Sequence, residues 1–138
     1  MIADDGTQSV LLHRWAFPSA VSPDGRSVAV VLEEGDPPVR HLATVPIDGG
    51  PLRPIATNVD FEMSSLRWTP DGSGLTYVAT RKGVGNLQLQ LLTGAPPRQL
   101  TTFASDLIFD FAWSPAGDLL TARGRVASDV ILIASAPR

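Results

Sequence analysis

Trp68-Thr69-Pro70-Asp71-Gly72-Ser73-Gly74-Leu75-Thr76-Tyr77-Val78 is the stretch on which the fold turns. It reads as the end of one strand, a tight turn and the start of a second strand. Thr, Pro, Asp and Gly stand in the order that a type I turn favours, and the residues that follow suit a pleated sheet. Pro presets the second turn residue at φ of about −65°, and Gly can take the positive φ that matches strand twist. The same string recurs as Val21-Ser22-Pro23-Asp24-Gly25 and as Trp113-Ser114-Pro115-Ala116-Gly117, with the prolines 47 and 45 residues apart. A fixed period of this size marks one supersecondary unit used repeatedly. Ala116 in place of Asp weakens the third turn.

A second module keeps step with the first. Leu42 to Ile55 aligns with Leu87 to Leu100 at a constant offset of 45. The Leu/Gln alternation from Leu87 to Leu91 has the period of a half-buried strand. A Gly-containing turn then leads into a short strand that its proline confines to a sheet edge. Each period therefore holds four antiparallel strands, a to d. In the first copy these are Trp15–Val21, Ser27–Leu32, His41–Ile47 and Leu52–Ala56. The repeats fall at about 15–56, 64–101 and 108–134, where the third copy supplies only a, b and c (Ile108–Ser114, Asp118–Ala122 and Asp129–Ala134). Residues 6–12 resemble a spare d strand, so the order is d-abcd-abcd-abc across a single unit of residues 1–138.

Composition agrees with an all-β chain and narrows its chemistry. Twelve glycines and twelve prolines are spread between apolar runs, and the 43% hydrophobic and 18% charged content is that of a globular domain. A net charge of −3 with no basic cluster argues against nucleic acid. The absence of cysteine removes disulfides, thiolate metal sites and a thiol nucleophile. No secretory-type leader opens the chain and no run approaches the roughly 20 apolar residues of a membrane span, so no membrane insertion is expected.

The hairpin Trp68-Thr69-Pro70-Asp71-Gly72, its partial copy Trp113-Ser114-Pro115, and the polar opening of strand c in Gly85-Asn86-Leu87 resemble the TolB-like (PD40) family of WD40-like β-propellers. The tail from Phe109 to Ile133 is similar to the C-terminal end of propellers attached to bacterial serine/threonine kinases and winged-helix regulators. Val21 in place of Trp, and Trp15-Ala16-Phe17-Pro18 in strand a, depart from the pattern. The resemblance implies three four-stranded blades, half of a ring that closes with about six, whereas propellers in general use roughly four to eight. Three blades leave apolar faces open, which implies a homodimer or the remaining blades of a longer chain. It also admits an accessory propeller of a peptidase or protein kinase, or an engineered half-propeller.

The candidate residues divide into scaffold and surface. Trp68 and Trp113 recur at one position in the repeat and are expected to pack between blades, with Pro23, Gly25, Pro70, Gly72, Pro115 and Gly117 shaping the turns. The loops at the opposite end are variable and charged: Glu33 and Glu34, Asp60, Arg81 and Lys82, Asp106, Arg123 and Arg125. Variable polar loops on a rigid scaffold are where binding is usually built, so these residues are the expected protein- or peptide-binding face. No Gly-x-Ser-x-Gly nucleophile motif occurs, and the only histidines are His13 and His41. The aspartates, Asp4, Asp5, Asp24, Asp71, Asp106 and Asp110 among them, sit at turn positions and lack metal-loop spacing. The chain is thus expected to be a non-enzymatic binding or scaffold module with no cofactor and no metal.

Overall fold

A computed structural model describes residues 16–60 and 65–127, which form strands and turns with no helix. Two sheets have four strands each. The first runs in the order β1 (Ala16–Val21), β2 (Ser27–Glu34), β3 (Val39–Pro46), β4 (Arg53–Thr57), and the second in the order β5 (Leu66–Trp68), β6 (Gly74–Arg81), β7 (Val84–Leu91), β8 (Arg98–Gln99). A third sheet pairs β9 (Leu107–Trp113) with β10 (Leu119–Gly124), and every pairing is antiparallel. The strands expected at 6–12 and 129–134 lie outside the described residues, as do Trp15 and Ser64. Among the described residues the architecture is therefore two four-stranded sheets and a two-stranded one.

The three hairpins close in the same way. Gly25, Gly72 and Gly117 donate their N–H groups to the carbonyls of Ser22, Thr69 and Ser114 at 2.9, 2.9 and 3.0 Å, each glycine at a φ between 71° and 89°. Inside the second turn, Asp71 accepts from the Thr69 hydroxyl at 2.6 Å and the Ser73 amide at 3.0 Å, while Thr69 Oγ1 accepts from Gly74 N at 3.1 Å. Asp24 accepts from the Ser22 hydroxyl and Arg26 amide in the same manner. The third turn lacks the aspartate at that position, and Asp118 takes over: its carboxylate accepts from Ser114 Oγ at 3.3 Å and its amide donates to the same hydroxyl at 3.0 Å. The weakness expected from Ala116 is offset two residues further on.

These bonds favour the ionised carboxylate. The Thr69 hydroxyl, followed by the Ser73 amide and hydroxyl, holds the Asp71 carboxyl at about 2, against an ordinary value of 3.8. A depressed carboxyl value stabilises the fold at every pH above the unfolded value, and that contribution drains away as pH falls from about 4 toward 2. Asp71→Asn is expected to flatten the acid limb of the melting temperature between pH 4 and pH 2 without changing its shape above pH 5. An acid limb identical to that of the parent chain would refute this.

Packing joins the sheets. Ala29, Val31 and Leu42 of the first sheet meet Leu66, Trp68, Leu75 and Tyr77 of the second in one buried cluster, and Val78 and Leu87 meet Ile108 and Phe111 of the third in another. Fully burying a Leu such as Leu42, Leu75 or Leu87 is worth about 1.5–3 kcal/mol. On the other face of the first sheet Val30, Leu32, Ala43 and Val45 form a further buried cluster. Because β7 is covered on both sides, its polar residues do not all reach water: Gln90, paired with Leu75, is 1% exposed and donates to the Ala95 carbonyl at 2.7 Å. Asn86, at the opening of the same strand, accepts from the Phe103 amide at 2.7 Å and the Thr101 hydroxyl at 2.9 Å, fastening the chain that leads to β9.

Candidate functional site

The charged loops stand at one end of the sheets and their ions are matched. Glu33 and Arg40 face each other across β2 and β3 at 3.5 Å. Arg81, at the end of β6, donates to Asp60 at 3.0 Å. Arg125 donates to Asp106 at 2.6 Å, and Arg123 approaches the same carboxylate to 3.8 Å while donating to the Ser105 carbonyl at 2.8 Å and lying over the Phe103 ring. The Arg125 guanidinium, then the Ser105 hydroxyl, keep the Asp106 carboxyl below its ordinary range. Lys82 and Gly83, both at positive φ, form the two-residue tip between β6 and β7, and the Lys82 side chain is exposed. Glu34 is exposed at the end of β2, beside the connection to β3. An aspartate before the first strand thus meets an arginine at the end of the second strand in both the second and third sheets. At such exposed positions solvent screens each pair, so they add little to stability.

At the other end the ends of β1, β5 and β9 converge around a concavity of about 580 Å³. Val21, Trp68 and Trp113 close the three strands there, followed by Pro23, Pro70 and Pro115. Hydrogen bonds tie the strands to one another. Trp68 Nε1 donates to the Ala20 carbonyl at 2.8 Å, and Arg67 Nε donates to the Phe111 carbonyl at 2.7 Å. Trp113 Nε1 reaches Thr76 Oγ1 at 3.2 Å. Trp68 is thus buried between the first two sheets, whereas Trp113 is half-buried and shares its surface with the concavity. Asp110, exposed and not among the lining residues, accepts from the Phe111 amide, Ser65 and Arg67, which together hold its carboxyl below the ordinary range.

The turn residues read from the sequence as scaffold therefore also line a recess. Its signal was present in the repeat: a proline at the same turn position of three adjacent units must lie at the same end of three adjacent sheets. His41 sits on β3 within 3.4 Å of Thr57 Oγ1, away from the recess, and His13 is outside the described residues. Among the described residues no group of three or more His, Cys, Asp or Glu could hold a metal.

No protein-family model matches the chain, and no curated protein matches it. Solved structures do. The TolB-designated protein of Agrobacterium tumefaciens superposes with a TM-score of 0.63 at 21% identity, over 83% of this chain and 40% of that one. The apo AtxE2 isopeptidase superposes with a TM-score of 0.56 at 21% identity, over 69% of this chain and 18% of that one. The chain spans less than half the length of either. Recurring hairpins, sheets joined face to face and these superpositions together give the chain a TolB-like propeller fold.

Proposed function

We propose that the chain is a non-enzymatic β-propeller segment of three blades that binds a protein or peptide. The observation that carries this is the recess at the ends of β1, β5 and β9, a hollow with polar and apolar lining contributed by three adjacent sheets. The charged loops at the opposite end, with Lys82 at a hairpin tip, form a second contact surface whose arginines already have carboxylate partners. The ring is completed by a second copy or by further blades. Leu120 supports this: it is 60% exposed on β10, at the position that Thr76 and Ala29 occupy in the other hairpins, where both are fully buried.

A second reading is favoured by the isopeptidase superposition: an accessory propeller of a larger enzyme whose catalytic domain lies outside these residues. The two surfaces are separated by one experiment, peptide capture from a random octapeptide library. Val21→Gln, a neutral change at the exposed rim of the recess that removes its apolar contact, is expected to cut capture several-fold, whereas reversing Arg81, Lys82, Arg123 and Arg125 to Glu is expected to leave recess binders in place. Capture lost with the loop charges and kept with Val21→Gln would move the site to the loops, and no capture at all would overturn the binding reading.

A further inference from the structure

The recess has an uneven chemistry. Among the described residues lining it, Arg67 is the one that carries a charge. Three of the walls are prolines, which offer no N–H, and Val21 at the rim is 57% exposed. Arg67 spends its Nε on the Phe111 carbonyl and one N–H of Nη2 on Asp110, so that among the described residues its Nη1 makes no hydrogen bond. A guanidinium presents five donors, and an anchored one is already oriented for a ligand. Asp110, which pairs with it at 3.2 Å, is exposed, does not line the recess and already accepts three hydrogen bonds. Among the described residues the lining therefore carries one fixed positive group and no carboxylate.

We propose, resting on the reading of the recess as a peptide site, that it selects an extended peptide carrying an Asp or Glu side chain, which pairs with the outer edge of Arg67 while neighbouring apolar side chains pack on Val21, Pro70 and Trp113. A side-chain carboxylate is favoured over a peptide C-terminus because capture of a terminus relies on converging backbone N–H groups, whereas three lining residues are prolines and the Thr69 and Ser114 amides are spent within their own hairpins. The recess lies open along the ends of three strands, so a chain can run across it without ending in it.

The test uses the full chain and a bead-displayed octapeptide library, acetylated and amidated so that every carboxylate is a side chain, beside a matched library without Asp or Glu. The expected result is enrichment of acidic peptides. Their affinity, read by fluorescence anisotropy, should fall about tenfold in Arg67→Gln and recover in part in Arg67→Lys. Because Arg67 also braces the third sheet, Val21→Asp serves as the second variant: it leaves Arg67 in place, adds a fixed negative charge at the rim, and should weaken acidic binders several-fold more than Val21→Gln does, while neutral ones fall no further than in Val21→Gln. Equal enrichment of both libraries, with binding weakened by Val21→Gln and indifferent to Arg67→Gln and to the charge added in Val21→Asp beyond the effect of Val21→Gln, would overturn the carboxylate preference and leave the peptide site standing. Binding that appears only when the C-terminus is left free would overturn the side-chain assignment. Peptide binding indifferent to Val21→Gln would overturn the peptide site itself.

Discussion

Trp68→Ala is expected to cost about 3–5 kcal/mol, enough to remove a large part of the stability of a domain of this size. The indole is 9% exposed, fills the joint between the first two sheets against Leu66, Leu75 and Tyr77, and spends its N–H on the Ala20 carbonyl. Truncation leaves a cavity that two rigid sheets cannot easily collapse, and it strands a carbonyl. Urea unfolding followed by far-ultraviolet circular dichroism measures the loss as a lowered midpoint. Trp113→Ala provides the internal scale: this ring occupies the same position one repeat later but is only half-buried, so its removal should cost clearly less. An unchanged midpoint for Trp68→Ala, or equal losses for the two, would show that the repeat position does not carry the packing described.

What the sequence makes legible follows from how far each interaction reaches. The Ser/Thr-Pro-Asp-Gly hairpins could be read because everything they require lies within six residues: a preset φ, a glycine at positive φ and a carboxylate beside two donors. Asp118 standing in for the missing aspartate was less visible, since it accepts the same hydroxyl from a different place in the turn. The Leu/Gln alternation identified a strand but not the burial of Gln90, which depends on the first sheet covering the face it shares with Leu75. The charged loops show the same limit. Asp60 and Arg81, or Asp106 and Arg125, stand about twenty residues apart in the chain, and only the return of the second strand to the level of the preceding loop brings them together. The recess was legible in principle, because equal positions in adjacent repeats must gather at one end of the fold.

Gly85 identifies the second joint as sharply as Trp68 identifies the first, and for the opposite reason. It is buried at the opening of β7, its φ lies outside the left-handed region, and a Cβ added there would stand 2.8 Å from the backbone nitrogen of Ile108 in β9. Conformational freedom is therefore not what the position needs; the second and third sheets approach so closely that only a hydrogen fits. The approach is fixed by the Gly85 N–H, which donates to the Asp106 carbonyl at 3.0 Å. Gly85→Ala should force the two backbones apart and cost about 1–3 kcal/mol. Amide exchange should rise across β9 and β10 more than across β1 and β2, because the joint between the first two sheets is untouched. Pairing the change with Ile108→Ala separates the two obstacles at this contact, since the Ile108 side chain is also close, at 3.3 Å. Removing that side chain leaves the backbone nitrogen where it was, so the double variant should recover little beyond the sum of the two losses. Substantial rescue would mean that a movable side chain, and not the main chain of β9, sets the spacing between these sheets.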